Sequence, residues 1–222
     1  MICFTVSGTR RSGASAVPDS SAVLLVGGGG HCRALIDVLE AANIPVAGIV
    51  HGPDCDLRAM SGYPPLGRDT ELADLRRRFR LALVSVGQIK TSSIRRKLFM
   101  LLLEHGFELP VVRSPYAYVS SHAQLGRGSV VMHHALVNAG ASIGENCIIN
   151  SKALIEHDCT IEAHCHIAVG AMLCGGVRVA EGSFIGAGSI CREGVCIGSG
   201  VIVGCGSVIL KDVPDGAIIK GR

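Results

Sequence analysis

The spacing of apolar residues changes near residue 119. Upstream, short apolar runs alternate with helical periodicity. Downstream, from Val119 to Pro214, an apolar residue returns at every sixth position without one insertion or deletion. Sixteen hexads begin at Val119, Leu125, Val131, Val137, Ile143 and so on to Ile209, and among these starts only Cys191 is not aliphatic. The fifth residue of each hexad is small, as in Ala135, Ala141, Cys147 and Ala153, and glycine often fills the second or fourth place, as in Ile185-Gly186-Ala187-Gly188. This repeat predicts a hexapeptide β-helix. Each hexad supplies one short strand and one corner of a triangular prism. The aliphatic side chain points inward onto its equivalent eighteen residues away, and the small residue fits the tight corner. Stacked strands lie about 4.8 Å apart, so just over five coils make a prism roughly 25 Å tall.

Before the hexads the pattern is strand and helix in turn. Ala22 to Val26 reads as a buried parallel strand, followed by Gly27-Gly28-Gly29-Gly30-His31 and a helix from Cys32 to Ala42. A second strand spans Ile44 to Val50, a helical stretch covers Thr70 to Phe79, a strand covers Leu81 to Val86, and a helix runs from Ser92 to His105 with Gly106 as its stop signal. This alternation predicts a small parallel α/β, Rossmann-like domain. The domain reading is therefore residues 1–20 as a disordered extension, 21–116 as the α/β domain and 117–222 as the β-helix. A glycine loop opening a helix turns backbone N–H groups toward an anion. A phosphate role for this loop stands beside the plainer reading of a tight turn. The loop is not a full G-x-G-x-x-G, and His51-Gly52 follows the second strand where an acidic residue would hold a ribose, so NAD is disfavoured.

Composition narrows the picture. A net charge of +3 is too weak to imply nucleic acid, and aromatics at 4% with no Trp suit a narrow prism core. The N-terminal half is mildly basic, which suits a phosphorylated ligand, although Arg76-Arg77-Arg78 and Arg95-Arg96-Lys97 also read as solvated helix faces. Ten cysteines invite a disulfide or metal reading. Cys147, Cys159 and Cys165 fall in the small corner slot and Cys191 in the aliphatic slot, however, so they read as small buried hydrophobes. No C-x-x-C pair stands in the chain, which argues against a zinc ribbon. With no secretory segment and no long apolar run, the expectation is a cytoplasmic protein with no membrane contact.

Histidine is concentrated in the hexads: His122, His133, His134, His157, His164 and His166. His157 sits between Glu156 and Asp158, and a carboxylate beside an imidazole fixes its tautomer and raises its basicity, as a general base requires. His166 lies half a coil further on. Gly175-Gly176 comes half a coil beyond that, where a backbone N–H would meet a developing oxyanion. Taken singly, each histidine reads first as a solvated surface group; their clustering is what points to chemistry.

The glycine-loop α/β domain, then Asn150-Ser151-Lys152-Ala153-Leu154-Ile155-Glu156-His157-Asp158 and His166-Ile167-Ala168-Val169-Gly170-Ala171, closely resembles the sugar O-/N-acyltransferases of the sialic-acid O-acetyltransferase type. Arg95-Arg96-Lys97-Leu98-Phe99 and Gly106-Phe107 add to the resemblance, which covers residues 22–221. It implies a left-handed β-helix, a homotrimer, acetyl-CoA as donor with no metal, and a nucleotide-activated sugar or amino sugar as acceptor, acetylated on nitrogen or oxygen, in bacterial surface glycan biosynthesis. It makes His157 the general base and Asp158 its acidic partner. It assigns His166, Gly175, Ala187 and Cys205 to acetyl-CoA, with Gly175 as oxyanion donor. Gly29, Gly30, His31, Gly87 and Asn150 go to the acceptor. The active sites are expected between adjacent prisms. The chain departs from the family at His51-Gly52, where an acidic pair is usual, and at Gln88, where Asp or Asn is usual. Two rivals remain: a non-catalytic trimeric scaffold with a nucleotide-sensing domain, and a β-helix carbonic anhydrase with three histidines on zinc.

Overall fold

Residues 21–52 and 62–221 are described in the computed structural model; the extension expected over residues 1–20 lies outside them. The first unit holds β1 (Val23–Val26), α1 (Gly30–Ala41), β2 (Val46–Val50), β3 (Pro65–Gly67), α2 (Leu72–Arg76), β4 (Leu81–Val84) and α3 (Ser93–Glu104). The four strands pair in parallel in the order β3-β2-β1-β4. Both faces of such a sheet are covered, so its strands are apolar throughout. Val23 and Leu25 pack with α1 on one side, while Leu24 and Val26 pack with α2 and α3 on the other. The sequence pattern does not show β3. It has only three residues and begins with Pro65, which is tolerated because the strand lies at the sheet edge.

From Val112 the chain winds into a prism of three parallel sheets with seven, six and five strands. Each strand is two residues long and, from Tyr118–Val119 to Val208–Ile209, ends on a hexad start. The register advances by one coil, pairing Ile143 with Ile161, Ile149 with Ile167 and Ile155 with Leu173. The hexad starts and the small corner residues form one continuous core, with Cys147, Cys159, Cys165 and Cys191 inside it. The fourth residue of a hexad turns the corner with positive φ. Glycine therefore recurs there, and His134, Asn146, Lys152, Asp158 and His164 adopt the same left-handed conformation at 53–61°.

The outward residue of each strand gives the three faces different characters. One face presents Gln124, Ser142, Thr160, Arg178 and Cys196 and is polar. A second presents Tyr118, Leu136, Leu154, Met172, Ile190 and Val208, an apolar column in register. The third starts with Val112, Val130 and Ile148, which are fully buried against the α/β unit. It continues through His166 and Phe184, both at 7% exposure, and ends in Ile218 at 70%. The α/β unit thus covers only the lower part of that face.

The basic run of α3 is not the uniformly solvated face the sequence suggests. Arg95 is completely buried. It donates from Nη1 to Val84 O and Val86 O, both at 2.9 Å, and from Nε to Asn146 O at 3.2 Å, tying the end of β4 to a prism corner. Arg96 pairs with Glu181 at 2.6 Å, two coils higher on the same corner.

Candidate active site

His157 stands on the corner between the apolar and the polar face. Asp158, in its left-handed turn, folds its carboxylate back to accept from His157 Nδ1 at 2.9 Å. That bond leaves Nε2 with its lone pair free to take a proton. It also raises the imidazole above its ordinary pKa, with smaller contributions from the charges of Asp158, Glu156 and Glu193. Glu156 accepts from Asn138 Nδ2 at 2.9 Å and from the His157 backbone N–H at 3.1 Å, and these bonds hold its carboxyl below the usual range. Asn138 was not singled out from sequence. Its signal is the coil spacing, since it lies eighteen residues before Glu156.

One coil above, Gly175 lies directly against the ring: a Cβ there would stand 2.6 Å from His157 Nε2. The N–H at the equivalent corner position is claimed by a side chain at Ala139, Ser151 and His157, through Asn138, Asn150 and Glu156 respectively. At Gly175 the preceding residue is Cys174, and among the described residues no acceptor takes the Gly175 N–H. A base nitrogen and an uncommitted N–H donor therefore share one surface. His157 and Asp158 side chains are 57% and 73% exposed in the single chain, so that surface is open.

A second cluster forms where the α/β unit meets the prism. Gly29, Gly30 and His31 at the start of α1, Gly87, Gln88 and Ile89 after β4, and Asn150 and His166 on the prism line a pocket of about 510 Å³. A Cβ at Gly29 would meet nothing within 4 Å, so the loop faces open space. His166 donates from Nδ1 to the Gln88 carbonyl at 2.5 Å and accepts at Nε2 from Asn150 Nδ2 at 3.0 Å. Phe184 meets its ring edge-on at 5.2 Å. Burial pushes His166 down to about 4, with Arg95 adding to the shift against the Gln88 bond. Burial, then Arg95 and His166, push His31 down to about 3. Both rings are thus neutral at ordinary pH.

The structure brings Gly29, Gly30, His31, Gly87, Asn150 and His166 together, so His166 lies among the residues assigned to the acceptor. It brings His157, Asp158 and Gly175 together on a different corner. Ala187 and exposed Cys205 sit on the corner that carries Asn150, on higher coils. Gln88, Ile89 and Arg95 belong to the second cluster and were not marked as site residues from the sequence. Among the described residues no three His, Cys, Asp or Glu side chains converge within the chain, and no helix is long and apolar enough to cross a membrane.

The repeat family described as bacterial transferase hexapeptide (six repeats) matches residues 140–175. No curated protein matches the chain. Among solved structures, PerB from Caulobacter crescentus in complex with CoA and GDP-perosamine is 37% identical, with 89% of this chain and 92% of that chain covered and a TM-score of 0.83. The acetyltransferase domain of PglB from Neisseria gonorrhoeae FA1090 in complex with acetyl coenzyme A is 36% identical, over 90% and 95% of the two chains, at a TM-score of 0.82. WeeI from Acinetobacter baumannii AYE, at 20% identity and 0.69, shares the fold.

Proposed function

Because the chain belongs to the hexapeptide-repeat sugar acyltransferases, we propose that it transfers an acetyl group from acetyl-CoA to the amine of a nucleotide-activated sugar, in bacterial surface glycan biosynthesis. The single observation that carries this reading is the pairing at one corner of a free His157 Nε2 with the unclaimed N–H of Gly175. His157 removes a proton from the sugar amine as its nitrogen attacks the acetyl carbonyl. Gly175 donates to the oxyanion that develops. The collapsing intermediate expels the CoA thiolate, and the proton held by His157 neutralises it. General-base help supplies about 10²–10⁴-fold and one oxyanion donor about 10²–10³-fold. Proximity supplies the rest.

The acceptor takes the pocket of Gly29, Gly30, His31, Gly87 and Asn150. Gly29, Gly30, His31 and Gly87 stand past the carboxyl ends of β1 and β4, the usual ligand position in an open parallel sheet, and Asn150 faces them from the prism. We read residues 21–116 as the Rossmann-like acceptor domain and 117–222 as a left-handed acyltransferase prism, with strand pairing already under way at Val112. Ala187 and Cys205, above Asn150, are the residues proposed to line the donor, together with His166 at the meeting of donor and acceptor.

The enzyme works as a homotrimer. The apolar face has the corner of Asn150 along one edge and the corner of His157 along the other, and the two residues belong to one coil. Turning that face toward a three-fold axis covers the apolar column. It also sets one subunit's His157 edge beside the next subunit's pocket at the same height. Purified protein incubated with acetyl-CoA and a panel of nucleotide amino sugars should release CoA only when both substrates are present. Nucleotide-sugar binding in thermal-shift assays without CoA release from any amino sugar would favour the sensing scaffold instead.

A further inference from the structure

Arg95 is a fully buried charge to which the acetyl-transfer reading gives no task. Its guanidinium reaches three backbone carbonyls on two units, Val84 O and Val86 O at the end of β4 and Asn146 O on the prism. Two residues after Val86 the chain reaches Gln88, whose carbonyl takes the Nδ1 proton of His166 at 2.5 Å. His166 Nε2 in turn accepts from Asn150 Nδ2, and Asn150 Oδ1 accepts from the Ser151 N–H at 2.8 Å. The Gln88 carbonyl fixes which ring nitrogen of His166 carries the proton, and the free ring nitrogen and the Ser151 N–H together fix which way the Asn150 amide points.

We propose that Arg95 is a positioning residue of the acceptor pocket: it clamps the end of β4 so that the Gln88 carbonyl fixes His166 as its Nδ1-protonated neutral tautomer, which in turn fixes the amide of Asn150. The proposal rests on the reading of this pocket as the acceptor site. A planar fork with several fixed donors can bridge carbonyls from two units, which a point charge on a flexible stem does poorly. The charge serves the same end. The titratable group acting on His166 is Arg95 from α3, and His31 at the start of α1 is itself held neutral by burial, Arg95 and His166. A protonated His166 would carry a second N–H aimed at the Asn150 amide hydrogens. Asn150 would then have to turn over and lose its bond to Ser151. A fixed positive charge nearby disfavours that protonation.

The test uses the full-length protein with ¹⁵N-labelled histidine, wild type against Arg95→Met and Arg95→Lys. In the wild type, His166 should show the Nδ1-protonated pattern and not titrate at pH values near neutrality. Arg95→Met should mix the tautomers and move the His166 titration upward from about 4, burial still holding it below the ordinary value, and should raise the acceptor KM by about tenfold. Arg95→Lys keeps the charge and loses the fork. It should mix the tautomers and raise the acceptor KM without moving the His166 titration upward, and it decides the matter if Arg95→Met does not fold. A single Nδ1-protonated tautomer and a wild-type acceptor KM in the variants would overturn the proposal. A disturbed tautomer with unchanged acceptor KM would uphold the clamp and overturn the assignment of the pocket to the acceptor.

Discussion

His157 draws its character from residues adjacent in sequence and from one a coil away. Asp158 holds Nδ1 and raises the ring's pKa, so in the proposed mechanism His157 can accept a proton only above that raised value and loses that role as pH falls through it. Asp158→Asn should therefore shift the acid limb of kcat/KM to lower pH while reducing the plateau rate, which a pH–rate series measures. His157→Ala should lower kcat by about ten- to a thousandfold with acetyl-CoA affinity nearly intact, because a base acts in the transition state; a wild-type rate at neutral pH would remove it from the mechanism. Gly175→Ala tests the other partner. The new methyl would fall 2.6 Å from Nε2, and the half-free ring would yield. The expected result is a folded protein with normal substrate binding and a strongly reduced kcat. At this scale the site was legible wherever coil spacing carries the information, because eighteen residues separate neighbours on one corner. Arg95 was not legible. Three consecutive basic residues on a helix look alike in sequence, and only packing against the prism shows that one of them points inward.

The elements that frame the proposed acceptor pocket are loops at strand ends, and their fit is set by burial. Gly29 and Gly30 have no close neighbour where a Cβ would stand, apart from the tip of Arg33 at 3.9 Å from Gly30. Valine at either position should thus leave the fold intact and project into the pocket. The acceptor KM should rise strongly with the acetyl-CoA KM almost unchanged, and a loss confined to acetyl-CoA binding would refute the acceptor assignment. The neutral His166 also links this junction to stability. Its folded pKa is about 4 against an ordinary 6.5, so the unfolded chain binds more protons between those values. Its stabilising share is present above about pH 6.5 and is lost as pH falls toward 4, amounting to about 3 kcal/mol. Urea midpoints at neutral and acid pH should converge in His166→Asn relative to wild type. Strand and helix order in this half of the chain was readable from apolar runs, with ends shifted by up to three residues, as where α2 stops at Arg76. Strand β3 was not, because three residues beginning with proline carry no periodic signal and owe their place to the free edge beside β2.

At the scale of the whole molecule, the question is how His157 meets the pocket. The hexads announced the prism because a strict six-residue period has few other physical solutions. They were silent on the partner surface, because inward residues set the period and outward residues vary freely. The outward residues now divide into a polar face, a face largely covered by the α/β unit, and the apolar column of Tyr118, Leu136, Leu154, Met172, Ile190 and Val208. A charge in that column, as in Met172→Glu, should yield smaller particles by light scattering and abolish activity while the prism still folds. Subunit mixing gives a sharper test. His157→Ala and Asn150→Ala damage different edges of one subunit, so each homotrimer should be nearly inactive. If the edges of neighbouring subunits form each site, trimers reassembled from a mixture will contain sites where an intact His157 faces an intact Asn150. Activity should then reappear on co-refolding or co-expression, at a level set by the fraction of such pairings. If the two edges acted within one chain, every subunit in the mixture would remain broken and no activity would return.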